Sequence, residues 1–337
     1  MRYSLFPSAK QHLKTCMSIK IIKPGMLTTL QGVARSGYRS MGIGGGGPMD
    51  NFAMRVANYL TGNEDEFAVI EMNFPAPEII FLQDALISLT GADFSPVVNG
   101  AAVPLWTPLF VKKNSILQFR KPVNGAKAYL AVQGGWQAEK WLNSYSTHLK
   151  VAAGGYFGRA LQKDDSIGFT QTGISFEQNK IFSWYISEIE LDKIYQATGH
   201  IRCIEGIEWE LLEDTSKAGF EKNDFVVSDQ SDRMGYRLNS QPLLLMQPTE
   251  LISSPTDTGV VQLLPGGNCI ILMADHQTTG GYPRIASVIK ADLPKLAQAR
   301  TGRVVNFTIV AQQTAEDALN QLEKTLREIK TACYLNF

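Results

Sequence analysis

The sequence predicts a mainly β protein with a few helices, built as barrels or sandwiches. Three observations lead there. Short apolar runs, several rich in β-branched residues, alternate with Gly, Pro, Asn and Asp turns. Few segments keep apolar residues at helical spacing. At 337 residues the chain has room for two domains of ordinary size.

The elements follow in order. Residues 50–61 predict a helix, with Ala53, Met54, Ala57 and Leu60 on one face, Asp50 as its cap and Gly62 as its stop. Residues 79–91 and 127–132 read as strands. Residues 259–264 and 269–274 read as two more, joined by the turn Pro265-Gly266-Gly267-Asn268. A short helix is expected over 292–298, capped by Asp292. The strand 304–310 is the richest in β-branched residues. The clearest helix is 314–331, where Thr314 and Asp317 resemble a capping box and Ala315, Ala318, Leu319, Leu322, Leu326 and Ile329 form an apolar stripe. The polar stretch 187–198 reads as a junction between two units.

Composition narrows the function. Apolar content of 44% and charged content of 19% describe a globular protein, and the formal net charge is zero. With no Lys/Arg run, nucleic-acid binding is not expected. No apolar run reaches membrane-span length, and the first 16 residues lack the apolar core of a signal peptide. Those residues are expected to be a disordered tail. Cys16, Cys203, Cys269 and Cys333 are scattered without CxxC spacing, which fits a reducing cytoplasm. The histidines show no HxH or HExxH spacing, so no metal site is expected.

Three segments carry candidate chemistry. The stretch Asp275-His276-Gln277-Thr278-Thr279-Gly280-Gly281-Tyr282-Pro283 follows an apolar strand and is dense in hydrogen-bonding groups. Asp275, His276 and Gln277 are candidate catalytic groups. Neighbours on an extended strand face opposite ways, so Asp275, Gln277 and Thr279 form the preferred set. Thr278, Thr279, Gly280, Gly281 and Tyr282 are candidate substrate contacts. The Gly42–Gly47 loop runs into the first helix, where Gly45, Gly46 and Gly47 and the helix N-terminus would suit an anion. It is not a Walker loop, because no Lys-Ser or Lys-Thr follows the glycines. Arg35 could add a guanidinium fork, and Asp50 is both the cap and a further catalytic candidate. Ser231-Asp232-Arg233 sets an acid beside a base, so Asp232 and Arg233 are binding candidates. Arg237 adds a charge that needs a partner or a ligand.

Taken with Tyr129-Leu130-Ala131-Val132-Gln133-Gly134-Gly135 and Leu142-Asn143-Ser144-Tyr145-Ser146-Thr147, these motifs resemble the family of allophanate hydrolase subunit 2, now known as the C-type subunit of 5-oxoprolinase. The same family is described as biotin-dependent carboxyltransferase subdomains A and B, and it includes the antagonist of the Kip sporulation kinase inhibitor. The resemblance runs from about Ile21 to about Val310. It implies two cyclophilin-like β-barrel subdomains, which would occupy 17–195 and 196–337 behind the tail 1–16.

The resemblance also implies a function. The chain would be one component of an ATP-dependent 5-oxoprolinase that opens 5-oxo-L-proline to L-glutamate. ATP would bind through the assembled complex. The implied partners are a B-type (Kip-inhibitor-like) protein and an A-type (LamB/YcsF) protein. One alternative is a urea/allophanate-type carboxyltransferase half-site, whose biotin would sit on another chain because no Met-Lys-Met segment occurs here. Another is a non-catalytic regulator that binds a Kip-inhibitor-like partner. Four positions depart from the pattern that the resemblance implies: Gly32 stands at an Asp, Ala34 and Asn143 each at a Gly and Tyr145 at an Arg.

Overall fold

Two rows of residues explain how the first half is put together. In the computed structural model, which describes residues 18–170, 175–195, 200–247 and 249–337, Leu30, Ile70, Leu130 and Leu89 line up across four antiparallel strands. Their neighbours Thr29, Glu71, Tyr129 and Thr90 line up beside them. Side chains alternate along a strand, so the two rows face opposite sides. The Leu/Ile row enters a core shared with a second sheet through Ile19, Ile79, Phe81 and Leu117. The Glu71/Tyr129 row faces the first helix.

Each of these sheets has six strands. One runs in the order Ser166–Ile167, Ile19–Lys23, Glu78–Phe81, Ile116–Phe119, Pro96–Val98, Ala101–Ala102. The other runs Lys180–Ile181, Pro108–Val111, Ala85–Asp93, Asn124–Val132, Val69–Met72, Thr28–Gln31. The single strand expected over 79–91 is two strands, in different sheets.

The second half closes into a seven-stranded barrel. Its order is His200–Glu205, Arg284–Val288, Val260–Leu263, Cys269–Leu272, Gly235–Asn239, Phe225–Val227, Val304–Ile309, and the last strand returns parallel to the first. Phe220 and Phe307 stack at 4.7 Å inside it, and Phe225 meets Phe307 at 4.9 Å. The expected turn at 265–268 joins adjacent strands of this barrel. The fold is therefore mostly β, with five α-helices among the described residues.

Helix α1, Asn51–Tyr59, begins as expected: the Asp50 carboxylate accepts the Ala53 N–H at 2.9 Å. Helices α2, Glu188–Tyr195, and α3, Asp214–Lys222, are absent from the sequence expectation. Each buries too little to show a stripe: only Ile194 in α2, and Ser216 and Phe220 in α3. Helix α4, Leu293–Ala297, starts with Pro at its N-terminus, and Asp292 makes no cap bond. The Asp292 carboxylate instead holds Arg202 at 2.7 and 3.1 Å. Helix α5, Gln312–Tyr334, starts two residues before Thr314, and no capping box forms. Asp317 accepts from Gln313 instead. The stripe Leu322, Leu326 and Ile329 does pack, against Phe52, Val56 and Tyr59 of α1.

Cys203, Cys269 and Cys333 are buried free thiols, while Cys16 and the rest of the expected tail lie outside the described residues. Among the described residues no helix is long and apolar enough to cross a membrane.

Candidate functional site

The buried row beside α1 reaches the barrel through one guanidinium. Arg233 leaves the strand-entry turn 231–234 and holds the Asp275 carboxylate in a two-point fork, at 2.8 and 3.0 Å. A third nitrogen donates to Glu71, and Arg233 Nη2 also donates to the Gly47 carbonyl at 2.6 Å. The Arg233 and Glu71 side chains are only 6% and 5% exposed, whereas Asp275 is 22% exposed. Asp275 is thus the solvent-facing end of a buried chain of charges. Burial works against the Arg233 charge, but Glu71 and Asp275 outweigh it and raise the guanidinium pKa above its ordinary value.

Glu71 is itself fixed. Its second oxygen accepts the Met49 N–H at 2.8 Å and the Tyr129 hydroxyl at 2.9 Å. Tyr129 in turn accepts the Asp50 N–H at 2.8 Å. These bonds bear on the expectation of an anion at the α1 N-terminus. The Met49, Asp50 and Ala53 N–H groups are held by Glu71, Tyr129 and the Asp50 carboxylate, and two buried carboxylates would repel a phosphate. The helix end does not fit that role.

Asp50 is also corrected as a catalytic group. It is fully buried, and its free oxygen accepts from Tyr195 Oη and Gln298 Nε2, both at 2.8 Å. No substrate could touch it. It serves as a cap and as a tie to α2 and α4. Burial raises its pKa from 3.8 to about 6. A carboxyl whose folded pKa is raised stabilises most below its unfolded pKa, and that contribution is lost as pH rises through the folded one. In urea-unfolding series, the stability of Asp50→Asn relative to wild type should therefore rise from about pH 3.8 to about pH 6 and then flatten. A pH-independent difference would show that Asp50 does not titrate there.

The Gly loop passes between Arg35 and Asp275. Gly46 and Gly47 have φ of 62° and 97°, which side chains rarely adopt. A Cβ on Gly46 would stand 2.8 Å from Arg35 Nη1 and 3.7 Å from Asp275 Oδ1. A Cβ on Gly44 would stand 3.0 Å from the His276 carbonyl. The N–H groups of Gly45, Gly46 and Gly47 are used by no hydrogen bond among the described residues.

Arg35 is 5% exposed, stacks 4.8 Å over Trp141 and donates to the Ser146 carbonyl. Its buried Nε has no partner among the described residues. Burial lowers its pKa, and Asp275 works in the other direction.

Asp275 and His276 turn opposite ways. His276 Nδ1 lies 2.6 Å from the Gln277 carbonyl, so it must be the N–H donor. Nε2 faces Arg39 Nη2 at 3.3 Å and accepts. Burial lowers the imidazole pKa, and Gln277 opposes it. His276 is a neutral, fully engaged residue rather than an acid/base group.

The stretch 275–283 is a crossover, not a hairpin turn, because Val260–Leu263 lies between the strands it joins. Gln277, Thr279 and Tyr282 are exposed. Thr279–Gly280 pairs with Ser254–Pro255, and Gly281 and Tyr282 line a leucine-rich groove with Leu251 and Leu263. Among the described residues no hydrogen bond joins Gln277, Thr278 or Thr279 to Asp275. Asp232 does not pair with Arg233. Its carboxylate accepts the Met234 and Gly235 N–H groups at 2.8 and 3.2 Å and shapes the turn. Arg237 is exposed.

Sequence reasoning missed Glu71. The available signal was an acid inside the apolar run Val69-Ile70-Glu71-Met72. Gly32 and Tyr145, two of the positions expected to depart from the family pattern, are neighbours: a Cβ on Gly32 would stand 3.2 Å from Tyr145 Cβ. Ala34, another such position, packs under Gly47, whose Cβ would meet Ala34 Cβ at 3.1 Å.

A closed barrel joined to a two-sheet body is a fold also found within larger proteins. The Kluyveromyces lactis urea amidolyase shares this fold at TM-score 0.85 and 24% identity, over 94% of this chain and 20% of that one. The family described as carboxyltransferase domain, subdomain A and B, matches residues 41–309, and the chain belongs to it. The C-type subunit of 5-oxoprolinase from Haemophilus influenzae is 35% identical over 93% of this chain and 97% of its own length. Its Escherichia coli counterpart, also a C-type 5-oxoprolinase subunit, is 35% identical over 89% and 93%. The Saccharomyces cerevisiae urea amidolyase is 27% identical over 93% of this chain but 18% of its own.

Proposed function

We propose that this chain is the C-type subunit of a multi-subunit, ATP-dependent 5-oxoprolinase, which opens 5-oxo-L-proline to L-glutamate. One observation carries the reading. The chain matches a free-standing 5-oxoprolinase subunit over nearly all of that subunit's length, but only a small part of the urea amidolyases.

The site geometry supports it. A cyclic amide offers a carbonyl that accepts and an N–H that donates. The unused N–H groups of the Gly loop and the partly exposed Asp275 lie side by side as donors and acceptor, with the buried Arg35 guanidinium behind the loop. The loop N–H groups would hold the carbonyl oxygen, where negative charge builds as water attacks, and the Arg35 charge would favour it. Asp275 would accept the ring N–H, take up the proton that the attacking water loses and pass it to the nitrogen as the C–N bond breaks. Gln277, Thr278 and Thr279, on the exposed crossover, would meet the partner that completes the site.

ATP would supply the driving force from the assembled complex, and we assign it no residue of this chain. The implied partners are the B-type (Kip-inhibitor-like) and A-type (LamB/YcsF) proteins. The subdomain division at 195/196 belongs to the same reading.

The isolated chain should release no glutamate from 5-oxo-L-proline with ATP present, while co-expression with both partner homologues should give ATP-dependent release. Turnover by the isolated chain, or an inert assembled complex, would sink the proposal. The urea amidolyase fold match favours one other reading, carboxyl transfer from biotin on another chain to an amide. Activity that needs a biotinylated partner would select it.

A further inference from the structure

A second cavity, about 660 Å³, lies where the two halves meet. Lys127, Arg300, Asp229 and Asp232 line it, and Arg233 forms part of its wall. The Lys127 ammonium donates to the neutral Asn73 Oδ1 at 2.5 Å and has no ion-pair partner among the described residues. Its backbone is also fixed, since Gln298 accepts the Lys127 N–H and donates to its carbonyl, both at 3.0 Å. The amine is therefore held at the cavity rather than free to swing to bulk water.

Burial lowers the Lys127 pKa, Glu71 works against that, and Arg233 adds to it. Asp232 also favours the ammonium, but among the described residues no carboxylate touches it, so an anionic ligand would be favoured beside it. Arg300 lies at the same cavity, and among the described residues it donates only to the Val123 carbonyl, at 3.2 Å. Apart from Arg233, whose charge is met by Glu71 and Asp275, the other charged groups are acids. Asp229 is exposed, and Asp232 has one oxygen committed to its turn. Two cations without ion-pair partners and two carboxylates on one cavity repel a polyanion such as a nucleotide. They match a ligand that carries both signs.

We propose that this cavity binds a small α-amino acid, its carboxylate on Lys127 and Arg300 and its ammonium on Asp229 and Asp232. The proposal needs no partner, ATP or turnover, so it stands or falls separately from the oxoprolinase reading.

Isothermal titration of the full chain tests it with three probes: L-glutamate, glutarate (the same dicarboxylate without an ammonium) and ATP. L-Glutamate should bind in the millimolar range, and glutarate and ATP at least about tenfold more weakly. Lys127→Met should weaken L-glutamate at least about tenfold, and the exposed Arg300→Gln and Asp229→Asn should each weaken it by a smaller factor. Because Arg300 and Asp229 are exposed, those variants keep the test decisive if Lys127→Met fails to fold. Three results would overturn the proposal: no saturable L-glutamate binding, glutarate binding as tightly as L-glutamate, or wild-type affinity in the folded variants.

Discussion

Arg233→Met should destabilise the protein by about 3–5 kcal/mol. The magnitude follows from what remains. Glu71 would stay 5% exposed with a full charge and only the Met49 N–H and the Tyr129 hydroxyl to answer it. Asp275 would lose both points of its fork. The Gly47 carbonyl would lose its donor at the turn that leads into α1. A methionine fills much of the same volume, so the loss is electrostatic rather than a cavity. Arg233→Lys provides the contrast. It keeps the charge but cannot reach Glu71, Asp275 and Gly47 together, so an intermediate loss is expected. Urea-unfolding midpoints at constant slope read both values. A methionine variant as stable as wild type would mean that the relay adds nothing to the fold.

The pieces of this relay differed in how plainly the sequence announced them. Arg233 and Asp275 stand in polar stretches, where charged residues in unusual company are visible. Glu71 and Tyr129 stand inside strands, and only the cross-strand register shows that they share a face. That register depends on long-range pairing, which no local window contains. The Asp50 cap was legible because a cap is a three-residue event. Asp292 looked the same locally, yet Arg202, ninety positions away, claims its carboxylate. His276 shows a similar limit. Its composition suggested an acid/base group, but Arg39 and the Gln277 carbonyl occupy both ring nitrogens. The β class and the α5 stripe were legible because periodicity survives any topology. Helices α2 and α3 bury so few side chains that they leave almost no periodic trace.

Asp275→Asn separates the site from the scaffold. The change keeps the shape of the side chain and removes one charge. Arg233 would still be neutralised by Glu71 and would still hold the Gly47 carbonyl. The stability loss should therefore be well below that of Arg233→Met, of the size of a lost charge-assisted hydrogen bond, about 1.5–3 kcal/mol. The effect on turnover should be much larger. A positioned carboxylate that holds a proton at the reacting nitrogen contributes about 100-fold or more to rate, and an amide in its place can neither take up nor release that proton at neutral pH. ATP-dependent glutamate release by the co-expressed complex should therefore fall by about 100-fold or more, with assembly intact by size-exclusion chromatography. If turnover instead falls only in proportion to the folded fraction, Asp275 serves the relay alone, and the acid/base group of the complex must lie on a partner.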